Sequence, residues 1–185
     1  MVGEITELAL PGCYVVRPVV RQDARGRFVK PFQASWFARA GLRTDFAEQY
    51  HSRSARGVVR GLHFQVPPAD HAKLVSCVSG RVFDVALDLR VGSPTYGQVA
   101  TVELDGETAR AVYLPSGIAH GFQALEDGCT VLYAVTSEFA PDCDAGVLWS
   151  SAGIRWPIER SIVSDRDRAL PPLDAFRSPF TSEAR

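Results

Sequence analysis

The run Val58-Val59-Arg60-Gly61-Leu62-His63-Phe64-Gln65, together with the strands downstream of it, decides how this chain folds. After the loop Val66-Pro67-Pro68-Ala69-Asp70 come His71-Ala72-Lys73, an apolar run over residues 74–78, Gly80, and then Val82-Phe83-Asp84-Val85-Ala86-Leu87-Asp88-Leu89-Arg90. Valines, leucines and a phenylalanine alternating with polar residues mark β-strands. His63 and Lys73 are thereby placed on or beside strand edges. A rigid sheet that turns both inward suits proton chemistry. A neutral imidazole takes a proton near neutral pH, and an ammonium steadies the negative charge left behind.

Outward from this run the same pattern repeats. Residues 8–20 read as one or two short strands broken by Pro11-Gly12 and Pro18, and residues 23–27 as a turn. Strands are expected over 28–32 and 46–52, with one brief helix over 36–40, capped by Ser35 and stopped by Gly41. Residues 99–104 and 109–114 read as a hairpin around Asp105-Gly106, and Pro115-Ser116-Gly117 turns the chain into a further strand. Residues 129–136 form another strand carrying Tyr133. Beyond Pro141 the chain reads as loops, ending in a frayed tail. Many short strands, Gly and Pro turns and little helix predict an all-β barrel or sandwich in one domain.

Composition excludes several classes. The 185 residues suffice for one core, and 46% apolar residues argue against disorder. Twenty basic against 21 acidic residues leave no broad nucleic-acid surface and no polybasic membrane patch. Arginine is the usual cation; the two lysines are Lys30 and Lys73. Cys13, Cys77, Cys129 and Cys143 are widely spaced, as reduced cysteines of a cytoplasmic protein are. The start, with Glu4 and Glu7, does not read as a signal peptide, and no apolar run reaches a membrane-span length.

Pro115-Ser116-Gly117-Ile118-Ala119-His120 resembles the second motif of cupins, double-stranded β-helix (jelly-roll) barrels. The metal-binding His-x-His of their first motif is broken here, since Phe64 and Gln65 follow His63, so no metal is expected. The chain is more specifically similar to dTDP-4-dehydrorhamnose 3,5-epimerases and their relatives. The match runs through Arg25-Gly26, residues 57–65, Ala72-Lys73-Leu74-Val75, Phe83-Asp84-Val85, Asp88-Leu89-Arg90, Gly92-Ser93-Pro94-Thr95-Tyr96-Gly97, His120-Gly121-Phe122, Tyr133 and Ser164-Asp165-Arg166-Asp167.

That resemblance implies a cofactor-independent isomerase that inverts C3, C5 or both of a nucleotide diphosphate-linked 4-keto-6-deoxyhexose. It implies His63 as the base beside the C4 carbonyl, Asp167 as the carboxylate orienting it, Lys73 as the cation facing the enolate oxygen, and Tyr133 as the acid on the opposite face. Arg25, Phe28, Glu48, Gln49, Arg60, His120 and Asp144 are implied in substrate binding. It implies a homodimer exchanging N-terminal strands, with the C-terminal segment supplying the Asp of the dyad. His51 and His71 have no counterpart in this set and read as surface or loop residues. The chain departs from the family at Glu48 and Tyr50, where Gln and Asn are usual, at Lys30, commonly acidic, and at Phe139, often Tyr. These changes fall on the binding set. They leave open the nucleotide, dTDP or CDP among others, and whether one carbon or two is inverted. A ketoisomerase sharing the barrel, a metal-binding cupin and a non-catalytic sugar-nucleotide binder are the remaining alternatives.

Overall fold

A computed structural model describes residues 3–182. Among them the chain builds β1 (Glu4–Glu7), β2 (Tyr14–Arg17), β3 (Val20–Asp23), β4 (Gly26–Val29), α1 (Ala34–Arg39), β5 (Glu48–Ser54), β6 (Val59–Gln65), β7 (Lys73–Ser79), β8 (Arg81–Asp88), β9 (Val99–Asp105), β10 (Ala111–Leu114), β11 (Ile118–Ala124), β12 (Cys129–Val135), β13 (Asp144–Gly146) and α2 (Asp165–Arg168). Two antiparallel sheets face each other, ordered β1-β2-β10-β7-β12-β5 and β13-β6-β11-β8-β9. From β5 to β13 every connection except β8–β9 crosses from one sheet to the other. This alternation is the jelly-roll winding of a cupin-type barrel.

Side-chain alternation divides the apolar residues into three layers. Between the sheets, Val75, Val112, Leu114 and Val131 meet Val82, Leu104, Ile118 and Phe122. Fully burying each such side chain contributes about 1.5–3 kcal/mol. Outside the six-stranded sheet, Trp36 and Phe37 of α1 pack on Leu74 and Tyr113, with Phe32 and Phe46 edge-on to Phe37. Outside the five-stranded sheet, Phe64 receives Phe176 and Phe180 from the C-terminal segment at ring separations of 5.2 and 5.7 Å.

Several local expectations are corrected. β9 and β10 are not a hairpin: β9 pairs with β8, while β10 pairs with β2 and β7 in the other sheet. Asp105 still organises the turn, accepting from the Thr108 amide and hydroxyl, but the turn carries the chain between sheets. Helix α1 starts two residues earlier than expected, with Gln33 rather than Ser35 at its N-cap and no side-chain cap bond; Gly41 follows it at φ +73°. Strands β1 and β13 and helix α2 were not anticipated. The tail is packed through Phe180, 5% exposed, and Thr181, which bridges Val91; the rest of the expected frayed end, residues 183–185, lies outside the described residues.

The approach of β6 to β11 sets the floor of the interior. A Cβ on Gly61 would stand 2.5 Å from Gly121 Cα, and Gly61 has φ +139°, where L-residues are strained. Beyond it His63 and His120 are register partners. Gly61→Ala is expected to lose about 2–4 kcal/mol from strain and overpacking together, read as a lowered midpoint in urea unfolding; an unchanged midpoint would contradict this close approach.

Candidate active site

Strand β5 is an edge of its sheet, and among the described residues the outer side of β6 is paired with the three-residue β13. A cavity of about 500 Å³ opens there. Glu48 and Tyr50 of β5 line it opposite His63 and Gln65 of β6, with Lys73 at the head of β7. Phe139, Asp144 and Arg166 complete its mouth.

His63 is fixed by a residue 104 positions away: its Nε2 lies 2.8 Å from Asp167 Oδ1. Asp167 is 4% exposed. The one-turn α2 presents it, because Ser164 at the N-cap accepts the Asp167 amide at 3.1 Å; such a cap contributes about 1 kcal/mol. Burial opposes ionisation of Asp167, but hydrogen bonds from His63 and the Gly61 amide, with the nearby Arg166 charge, prevail and hold its carboxyl below the usual carboxylate range. An ionised carboxylate only accepts, so Nε2 carries the proton and Nδ1 keeps its lone pair. The His63 side chain is 29% exposed, enough to meet a ligand. Arg166 donates to Asp144 and spans the mouth from α2 to β13.

Lys73 is 5% exposed and donates to His71 Nε2 at 2.7 Å. Burial pulls the Lys73 ammonium down to about 8, with Asp144 opposing, and burial followed by the Lys73 charge pulls His71 down to about 3. His71 is therefore neither a surface nor a loose loop residue: it is 9% exposed and neutral. Gln65 braces the same corner, accepting from the Ala140 amide and donating to the Ala69 carbonyl at 2.7 and 2.8 Å. Glu48 accepts the Phe139 amide at 2.7 Å. Together they pin the loop that presents Phe139, 61% exposed, at the mouth.

Tyr133 comes from the facing sheet, 7% exposed, stacked on Tyr50 at 4.7 Å and edge-on to His120 at 5.8 Å. Burial above all pushes its hydroxyl well up, so it stays protonated. Tyr50, not Tyr133, lines the cavity directly. His120 is buried behind, 2.8 Å from Asp84, whose carboxyl burial pushes up despite the histidine.

The family profile described as dTDP-4-dehydrorhamnose 3,5-epimerase matches residues 7–175. The chain belongs to this family. It is 43% identical over 169 residues to the dTDP-4-dehydrorhamnose 3,5-epimerase of Mycolicibacterium smegmatis, covering 90% of this chain and 84% of that one. The structure of the dTDP-6-deoxy-D-glucose-3,5-epimerase of Legionella pneumophila in complex with dTDP-4-keto-L-rhamnose aligns at a TM-score of 0.93 and 34% identity, covering 98% and 99%. That of ChmJ, a 3'-monoepimerase from Streptomyces bikiniensis, in complex with dTDP-quinovose, aligns at 0.86 and 36% identity, covering 90% and 86%.

Of the residues singled out in the sequence, the epimerase-family chain brings His63, Lys73, Glu48 and Asp144 to one cavity, with Asp167 behind His63 and with Tyr133 and His120 one layer behind. Arg60 is Phe122's register partner and donates to Ser54 Oγ at 3.1 Å, farther along the cleft between β5 and β6. Gln49 sits on the opposite face of β5 and lines a separate depression with Phe32 and Phe46. Arg25 and Phe28 lie on the β3–β4 hairpin, away from this cavity, Phe28 being 60% exposed and Arg25 paired with Asp23. Arg166, Gln65 and His71 were not assigned from sequence. Arg166 and Gln65 stand inside quoted motifs and were open to that reading. No described helix is long and apolar enough to cross a membrane.

Keeping Lys73 charged while buried costs roughly 3 kcal/mol at pH 7, from a fall of 10.5 to about 8. Lys73→Met is expected to stabilise the fold by on the order of 2 kcal/mol at pH 7, the relief of that cost less about 1 kcal/mol for the hydrogen bond that His71 loses. The unfolded chain binds the extra proton between pH 8 and 10.5, so wild-type stability climbs through that window and the variant's advantage fades. Urea unfolding at about pH 7 and about pH 10 tests this; a destabilised variant at neutral pH would refute it.

Proposed function

We propose that this chain inverts C3, C5 or both of a nucleotide diphosphate-linked 4-keto-6-deoxyhexose, of the dTDP-4-dehydro-6-deoxyglucose type, in deoxysugar biosynthesis. The observation that carries the reading is an imidazole held at 2.8 Å by a buried carboxylate, in one cavity with a buried ammonium. His63 Nδ1 takes the proton α to the C4 ketone. The C–H electrons move into the carbonyl, and an enolate forms. Asp167 steadies the imidazolium, as carboxylates do beside catalytic histidines. The Lys73 ammonium, itself 5% exposed, meets the enolate oxygen. Tyr133, on the facing sheet, returns a proton to the other side of the carbon, which inverts it. Solvent then resets both groups.

Arg60 and Arg166 are the cations along the cleft suited to the diphosphate, and Phe139 is an exposed ring at its mouth. Asp144 and Glu48 hold the mouth's shape, and His120 with Asp84 supports Tyr133 from behind. A second reading, inversion of one carbon only, is favoured by Tyr50. Its ring lies over Tyr133, where it limits which carbon the acid reaches.

The chain is further proposed to act as a homodimer, with the β3–β4 hairpin lent to the partner's site. In support, this hairpin forms a two-stranded sheet by itself and carries Arg25 and exposed Phe28. A cytoplasmic setting fits four free cysteines, three of them buried. Light scattering on the purified chain is expected to give a dimer; a monomer would sink the exchange.

The deciding experiment is proton NMR in deuterated water with dTDP-4-keto-6-deoxyglucose. Deuterium at C3, C5 or both shows which carbons lose a proton, the ring-proton couplings of the product show which are inverted, and deuterium at neither means the reading fails for this substrate. His63→Ala is expected to abolish exchange, a loss of roughly 10²–10⁴-fold. Tyr133→Phe is expected to retain exchange while losing inversion; equal loss of both would contradict its role as the acid.

A further inference from the structure

The cavity's cation lacks the partner that buried ammonium groups usually have. Lys73 makes its hydrogen bond to a neutral imidazole, not to a carboxylate. The direction of that bond is set by chemistry, because an ammonium only donates and His71 Nε2 must therefore accept. A neutral His71 then carries its proton on Nδ1 and donates to Ser137 Oγ at 3.0 Å, while the Ser137 hydroxyl donates to the Ala69 carbonyl at 2.7 Å. Gln65 Nε2, 3.2 Å from Nδ1, has the carbonyls of Ala69 and Glu138 as acceptors at 2.8 and 3.2 Å. The chain Lys73 to His71 to Ser137 to the Ala69 carbonyl points one way, each bond polarising the next.

We propose that His71 is a positioning residue for Lys73: as a neutral acceptor it anchors the ammonium without cancelling its charge, so the charge is first answered by the enolate. This rests on the epimerase reading. A carboxylate at this place would form an ion pair in the resting site, leaving less to gain when the oxyanion develops. The other charged groups facing the cavity are Glu48 from β5, His63 from β6, Asp144 from β13 and Arg166 from α2. Glu48 is engaged by the Phe139 amide and Asp144 by Arg166, which leaves His71 as the direct contact of Lys73.

The test uses His71→Gln, His71→Ala and His71→Glu. With Lys30 and Lys73 as the only lysines, [15Nζ]lysine labelling yields two signals, and Lys73 is titrated without substrate. Wild type should titrate near 8 and lose exchange activity above that pH. His71→Gln keeps an acceptor and should preserve both the titration and kcat within about threefold. His71→Ala should move the titration and the alkaline limb down by roughly one pH unit. His71→Glu should move both up while lowering kcat at neutral pH about tenfold or more. Unmoved titrations in both Ala and Glu variants would overturn the proposal, as would an undiminished kcat in His71→Glu. If the Ala variant fails to fold, the Gln and Glu pair decides alone. Wild type without any deuterium incorporation would overturn the epimerase reading instead, while the titrations still judge His71.

Discussion

The hydrogen bond between His63 and Asp167 depends on two distant parts of the chain meeting. His63 stands on β6 inside the barrel, and Asp167 stands on one helical turn beyond it. Four charged residues, Asp165–Arg168, do not hold a helix in water by themselves. The turn is kept by Ser164 at its N-cap and by its apolar flanks. Val163 before it is buried. Leu173, Phe176 and Phe180 after it pack on the outer face of the five-stranded sheet. Apolar packing on the outside of the barrel thus sets a proton-transfer group on the inside. A loss of Phe64–Phe176 contact would be felt at the imidazole.

The interior is polar at one end and apolar at the other. Toward Val112 and Leu104 it packs as an ordinary core; toward β5 and β6 it holds histidines, a lysine and carboxylates. The two His–Asp pairs share a 2.8 Å separation and differ in environment. Around Asp167 the hydrogen bonds outweigh burial; around Asp84 burial outweighs the histidine. The reachable pair is the one whose carboxyl is held below the usual range, which is the arrangement a base needs. The fully enclosed pair is suited to hold Tyr133's surroundings rigid.

The sheets were legible in the sequence because alternation reports burial locally, and His63, Lys73 and Tyr133 fall inside such runs. Strand pairing is not local. Asp105-Gly106 makes a turn as read, yet the strands it joins belong to different sheets. Helix α2 has no apolar period, and its one signal is Ser164 three residues before Asp167. His71 comes after Pro67-Pro68-Ala69-Asp70 and reads as loop. It is buried because a loop 66 residues later folds over it through Ser137. Gln49 illustrates the opposite case: it neighbours Glu48 in sequence, but strand alternation sends it to the far side of the sheet.

The burial of Lys73 has a chemical consequence besides charge. With its pKa near 8, roughly a tenth of Lys73 is free amine at neutral pH, about two orders of magnitude more than an exposed lysine. Free amines condense with ketones, and the proposed ligand carries one. Condensation would strip the Lys73 nitrogen of its hydrogens, including the one it donates to His71 at the head of its strand. The bond that anchors the ammonium therefore works against the imine.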